Sequence, residues 1–75
     1  MMEKYENSGG NSGVSSFEIG SNYIIVLFKG KLKPYRYSYT GGAGRYHVES
    51  LKRLARNGSG LNAYIINYVK DKCDK

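Results

Sequence analysis

The sequence predicts an α+β fold: a three-stranded antiparallel β-meander followed by two helices that pack on one face of the sheet (βββαα). Between positions 15 and 40, strand-like apolar segments are divided into three by two glycine-led turns. Between positions 47 and 72, apolar residues recur at helical spacing on either side of an Asn-Gly pair. Because the helices must bury their apolar stripes, we expect them to cover the more apolar face of the sheet.

The chain has 75 residues, which is enough for one small domain. Its first stretch is rich in Gly, Ser, Asn and charged residues and offers almost nothing to bury. The sequence therefore predicts a disordered tail over residues 1–13 and a single domain over residues 14–75. A domain of this size is near the lower limit for folding on a hydrophobic core alone, and it leaves little room for a deep enzyme pocket.

The predicted strands are separated by two tight turns, at Gly20-Ser21 and Gly30-Lys31. Glycine in the first position of a two-residue loop is typical of a type II′ hairpin turn. The strands themselves are predicted over residues 15–19, 22–29 and 32–40.

The two turns also fix a register, which places Phe17 opposite Ile24 and Ile24 opposite Tyr37. Opposed residues share a face of the sheet, and so do alternate residues of one strand. The face toward the helices then collects Phe17, Ile19, Ile24, Val26, Phe28, Tyr35, Tyr37 and Tyr39. The other face collects Ser16, Glu18, Tyr23, Ile25, Leu27, Pro34, Arg36 and Ser38.

The first helix is predicted over residues 47–57, and Gly58 is expected to end it in the left-handed conformation. Ser59 is predicted to cap the second helix. The first helix has Val48, Leu51, Leu54 and Ala55 on one side and Lys52, Arg53 and Arg56 on the other. The apolar stripe of the second helix is Leu61, Tyr64, Ile65, Tyr68 and Val69.

Three segments, "VSSFEIG", "IIVLFKGKLKPYRYSY" and "LKRLARNGSGLNAYI", together resemble the KTSC domain. This short module occurs at the C-terminus of some lysyl-tRNA synthetases and as a stand-alone bacterial protein. The resemblance covers residues 14–69, and it implies the fold above and, by association, RNA binding. Where the family has a Val-Pro pair before its first helix, this chain has "TGGAGRYHV". The matching positions are Ser15, Ser16, Phe28, Gly30, residues 35–39, Leu51, Ala55, Gly60 and Asn62.

Positive charge is concentrated in the middle of the chain. Residues 29–56 hold eight basic residues and one acidic residue, in a chain whose net charge is +6. Such a patch attracts polyanions such as nucleic acid, although it also suits a merely solubilising surface. The lysines near the second hairpin could equally protect an exposed strand from aggregation. The predicted nucleic-acid contacts are Arg36, Arg45, Lys52, Arg56, Tyr23 and Lys31.

The second predicted surface is the sheet face that no predicted helix covers. Tyr23, Ile25 and Leu27 run along its central strand beside Arg36, and an uncovered apolar strip is a candidate contact surface. It could stack bases, form a homodimer, or dock a phage or host protein. Alternatively, the N-terminal segment folds over it.

No catalytic residue, cofactor or metal site is predicted. The "GGAG" loop lacks the lysine of a Walker motif and the spaced glycines of a dinucleotide site, so a connector is favoured. A more limited alternative to a nucleotide site is that backbone N–H groups beside Arg45 hold a single phosphate. His47 has no sequence-evident catalytic or metal partner, and Glu49 is expected to pair with Arg53.

The sequence thus predicts a small non-catalytic module that binds RNA or another polyanion. The alternative is a protein-interaction module that uses the helix-free sheet face. No segment is long and apolar enough for a membrane span, and no small-molecule substrate is indicated. The lone Cys73 suits a reducing compartment, so a cytoplasmic location is expected.

Overall fold

A computed structural model describes residues 3–6, 13–30 and 33–73, and it confirms the α+β class. The four strands form one antiparallel sheet in the order β1-β2-β3-β4, so the predicted number of three strands is wrong. The strands are β1 (Glu3–Lys4), β2 (Val14–Ile19), β3 (Tyr23–Phe28) and β4 (Tyr35–Ser38). They are followed by α1 (Gly44–Asn57), α2 (Leu61–Tyr64) and a π turn (Ile65–Val69) that continues α2.

The additional strand, β1, belongs to the segment predicted to be a disordered tail. Its Glu3 pairs with Phe17 of β2, which extends the sheet at that edge. Tyr5 follows and is only 2 % exposed, and its Oη accepts a hydrogen bond from the Leu61 N–H at 3.2 Å. The buried Tyr5 thus anchors this segment to the core, although the average composition of the segment is typical of a linker. The rest of the predicted tail, apart from Gly13, lies outside the described residues.

The pairing of β2 with β3 differs from the predicted register. Phe17 lies opposite Val26, not Ile24, because the turn is centred one residue later than predicted. The N–H of Gly20 donates to the carbonyl of Tyr23 at 2.9 Å and closes this turn. Phe17 thus pairs with a residue of β3 two positions later than predicted. Because side chains alternate between the faces with a period of two, every side chain stays on its predicted face.

The pairing of β3 with β4 follows the predicted register, with Val26 opposite Tyr35 and Ile24 opposite Tyr37. The predicted core face is also confirmed. Its buried members are Phe17, Ile24, Val26 and Tyr37, and its partly buried members are Ile19, Phe28, Tyr35 and Tyr39. Lys31, one of the predicted nucleic-acid contacts, lies outside the described residues.

Helix α1 begins at Gly44, three residues before the predicted start, and ends as predicted. Val48, Leu51 and Ala55 are buried in the core that it shares with the sheet. Gly58 follows with a φ of 81°, and its N–H donates to the carbonyl of Ala55 at 3.3 Å. Its N–H thus pairs with a carbonyl group at the end of the helix, and glycine adopts the left-handed conformation without the steric cost of a side chain.

The start of α2 corrects the predicted cap. Gly60, with a φ of 82°, occupies the cap position and supplies no side-chain hydrogen bond. The Oγ of Ser59 instead accepts a hydrogen bond from Nδ2 of Asn57 at 3.2 Å. The hydroxyl of Tyr5, which accepts from the Leu61 N–H, satisfies one backbone donor that the predicted cap would have served.

The π turn changes which residues of the second helix face the core. Leu61, Ile65 and Val69 are buried, each four residues after the last. Because a π turn holds more residues than an α turn, a spacing of four stays on one side of the helix. Tyr68 was predicted in the apolar stripe but is 58 % exposed.

Candidate nucleic-acid interface

Lys52 is not the exposed phosphate contact that the sequence predicted. It is 6 % exposed, and its Nζ donates to the Ser21 carbonyl at 3.1 Å. The same Nζ lies 3.0 Å from Oε2 of Glu49, so Glu49 pairs with Lys52 and not with Arg53 as predicted. The Lys52 ammonium is thus neutralised within the fold.

A tyrosine organises the charges around Lys52. The Oη of Tyr39 donates a hydrogen bond to Glu49, and Nζ of Lys52 lies 5.2 Å from the centre of the Tyr39 ring. The hydrogen bond from Tyr39 and then that from Lys52 lower the pKa of Glu49 below its ordinary value. The guanidinium carbon of Arg45 lies 5.6 Å from the centre of the Tyr39 ring. Because Lys52 balances the negative charge of Glu49, the exposed Arg45 gives the group of side chains around Tyr39 a net positive charge.

A second arginine is held on a tyrosine ring, on the opposite face of the sheet. The guanidinium carbon of Arg36 lies 4.9 Å from the centre of the Tyr23 ring. The Tyr23 Oη donates to Oε2 of Glu18 at 3.0 Å, and this hydrogen bond raises the pKa of Tyr23. The exposed Arg36 therefore has a preferred position over the Tyr23 ring.

A polar groove of about 590 Å³ joins Arg36 to the C-terminal segment. The Arg36 and Lys72 side chains are its cations, and Asp71 is its carboxylate. A Cβ built on Gly42 would lie 3.2 Å from the Lys72 carbonyl oxygen, so glycine at this position permits the close approach. The "GGAG" stretch thus serves a packing role at position 42. The groove is lined by Arg36, Ser38, residues 40–42 and residues 71–73.

The remaining predicted contacts are more dispersed. Arg56 is exposed near the end of α1, beside Arg53. Arg56 comes eleven positions after Arg45, which is about three helical turns, so both project from the same side of α1, about 16 Å apart. Tyr23, Ile25 and Leu27 are half-buried on the helix-free face. Residues 3–6 extend the sheet beside β2. Residues 1–2 and 7–12 lie outside the described residues, so the alternative in which the N-terminal segment folds over this face stays a prediction.

The structure also brings together four aromatic residues that the sequence did not single out as a site: Tyr46, His47, Tyr64 and Tyr68. Nδ1 of His47 lies 2.7 Å from Oη of Tyr64, within hydrogen-bond distance. The His47 ring is stacked on Tyr68, with centres 6.3 Å apart and an angle of 22° between their planes. Tyr46 approaches His47 edge-on at 5.4 Å. In the sequence, Tyr64 and Tyr68 fit the apolar stripe of the second predicted helix. They come close to His47 only because α1 and α2 pack against each other.

No protein-family model matches the chain, and no curated protein or solved structure matches it either. The site is therefore interpreted from its own chemistry. Among the described residues, no group of three or more His, Cys, Asp or Glu side chains is placed to hold a metal ion. None of the described helices has the length and apolar character needed to cross a membrane.

Proposed function

We propose that this protein is a small non-catalytic module that binds RNA or another polyanion around the C-terminal end of β4 and along α1. The observation that carries the proposal is a pair of exposed arginines, each held on a tyrosine ring. Arg36 lies over Tyr23 on one face of the sheet, and Arg45 lies over Tyr39 beside α1. A cytoplasmic location and kinship with the KTSC domain belong to the same proposal.

Ring contacts favour phosphate binding because they restrict the arginines in advance. A long side chain that is already ordered loses less conformational entropy when it binds. A planar guanidinium can form paired hydrogen bonds with two phosphate oxygens, which makes arginine well suited to phosphate recognition. Arg36 and Lys72 share the groove, where one phosphate group can meet two cations. Arg45 and Arg56, on one side of α1, form a second positive surface.

The test is a salt series of binding to an unstructured 20-nucleotide RNA, with anisotropy as the readout. We expect binding near 50 mM salt that weakens steeply as salt rises, because bound phosphates release counterions. Arg36→Gln, Arg45→Gln and Arg56→Gln should each weaken binding and each lower the salt slope by about one. Lys33→Gln is the matched control, since it removes one exposed charge from the opposite end of β4.

Two results would overturn the proposal. One is the absence of binding to RNA and to heparin near 50 mM salt. The other is equal loss in Lys33→Gln and in the three arginine variants, which would mean that net charge alone attracts the ligand. Circular dichroism of each variant checks that the fold is retained.

A second candidate function is protein interaction through the helix-free sheet face. It is favoured by one observation: Ile25 and Leu27 stay half-buried on a face that no described helix covers. Sedimentation at rising concentration tests a homodimer, which Leu27→Glu should abolish. Ala63→Glu, on the exposed side of α2, is the control and should leave the dimer intact. A wild-type monomer throughout would contradict the dimer.

A further inference from the structure

Two of the three exposed large hydrophobic side chains among the described residues belong to one cluster. Tyr46 is 78 % exposed and Tyr68 is 58 % exposed, and both belong to the aromatic cluster formed by Tyr46, His47, Tyr64 and Tyr68. Exposed tyrosines occur singly on many proteins, but here two of them, Tyr46 and Tyr68, each contact the ring of His47. An aromatic surface of this kind marks a contact site more often than a scattered residue does.

Contacts between the members of the aromatic cluster restrict the positions of their rings. His47 is within hydrogen-bond distance of Tyr64, and its ring is stacked on Tyr68. Tyr64 and Tyr68 are themselves only 4.7 Å apart between ring centres. With its inner side supported by two rings, Tyr68 has little freedom left to lose, so a flat ligand that stacks on its open side would bind at low entropic cost.

The charges around the cluster indicate which flat ligand fits. Arg45 directly precedes Tyr46, and Lys72 follows Tyr68 by four residues and packs against Gly42. Asp71 is the acidic residue in this stretch, while Glu49 is balanced by Lys52. A ligand that offers aromatic faces and negative charge together is a nucleic-acid strand with unpaired bases. A duplex keeps its base faces stacked internally and cannot offer them.

We infer that the aromatic cluster is a stacking site for unpaired bases, so that this protein prefers single-stranded RNA to duplex RNA. The inference rests on the proposed polyanion binding and assigns that function its class of nucleic acid. Stacking on tyrosine tolerates any base, because every base has a π-face. Arg45, next to Tyr46 in the sequence, and Lys72, four residues after Tyr68, supply positive charge for the phosphates of the bound strand.

The experiment compares three probes at one salt concentration: an unstructured 12-nucleotide RNA, a blunt-ended duplex of two complementary strands, and heparin, which has charge but no bases. Tyr46→Ala and Tyr68→Ala are the test variants, and both positions are exposed enough for the fold to survive. Each should weaken single-strand binding about 5-fold or more, with heparin binding unchanged. Tyr46→Phe keeps the ring and should bind like the wild type. Ile66→Ala, also exposed, is the control for lost apolar surface.

A direct readout is also accessible. The chain has eight tyrosines and no tryptophan, so its emission comes from tyrosine, and stacked bases should quench it. Quenching by the single strand but not by heparin, reduced in Tyr68→Ala, is the expected result. Equal affinity for single strand and duplex, or no loss in either alanine variant while heparin still binds, overturns the stacking site and leaves the proposed function standing. Failure to bind both RNA and heparin instead overturns the proposed function.

Discussion

The Nζ of Lys52 donates a hydrogen bond to the carbonyl oxygen of Ser21, 3.1 Å away, and ties α1 to the turn between β2 and β3. Removing this buried ammonium leaves a carbonyl without its donor and Glu49 without its cation. We expect Lys52→Met to lower the free energy of unfolding by about 1–3 kcal/mol, as measured by urea denaturation. Arg53→Met, one residue later and exposed, should change it by less than about 0.5 kcal/mol. Equal effects of the two substitutions would contradict the buried position of Lys52.

Tyr5 and Tyr37 are both buried tyrosines, but their hydroxyls differ. The Tyr5 Oη accepts from the Leu61 N–H, while the Tyr37 Oη has no hydrogen-bond partner in the described part of the chain. We expect Tyr5→Phe to cost about 1–3 kcal/mol, because it leaves a buried N–H unpaired. Tyr37→Phe should leave stability unchanged or raise it by up to about 1 kcal/mol, because it removes an unsatisfied polar group. Thermal and urea unfolding of the pair decide this, and a larger loss in Tyr37→Phe would refute it.

Gly58 and Gly60 have the same left-handed backbone but different surroundings. A Cβ on Gly58 would come within 2.7 Å of the Glu6 Cβ, whereas one on Gly60 would meet only Leu54, at 3.6 Å. Each alanine substitution carries the left-handed penalty of about 1–2 kcal/mol. Gly58→Ala should cost clearly more than Gly60→Ala, because the segment after β1 must also move. Identical costs in chemical denaturation would mean that Glu6 does not pack there.

The carboxyl of Glu49 should respond to acid in a defined direction. Hydrogen bonds from Tyr39 and Lys52 lower its pKa from the ordinary value of 4.5. A lowered folded-state pKa contributes stability above pH 4.5, and this contribution is lost as the pH falls through the folded value. The unfolding free energy of Glu49→Gln should therefore depend less steeply on pH below about pH 5 than that of the wild type.

The source of that shift can be assigned by NMR titration of the side-chain carboxyl. Tyr39→Phe removes the first of the two hydrogen bonds and should raise the pKa of Glu49 toward 4.5. Tyr35→Phe alters another half-buried tyrosine and serves as the control. No rise in Tyr39→Phe would rule out the hydrogen bond from Tyr39 as the main cause.

The sheet faces could be predicted from the sequence because side chains alternate with a period of two. The turn before Tyr23 is centred one residue later than predicted, which shifts the pairing of β2 with β3 by two positions. A shift of two leaves Phe17 and Ile24 on the core face. Tyr5 could not be found this way, since an average over a polar segment hides one aromatic residue that packs against a distant helix.

The site was less predictable because it depends on tertiary contacts. A helical projection places the Cα of Lys52 near the exposed side, but a long flexible side chain can carry its charge elsewhere. Here the ammonium turns toward Ser21 and Glu49. The meeting of His47 with Tyr64 likewise depends on how α1 packs against α2, which no local spacing encodes.

The hydrogen bond between Tyr5 and Leu61 joins positions 56 residues apart in the sequence. Contacts of such separation slow folding, because a long loop must close before they form. Tyr5, directly after β1, therefore reaches its buried position only once α2 has packed against it. Until then the N-terminal residues are open to proteases, and in the finished domain slow amide exchange at β1 should report on the integrity of α2.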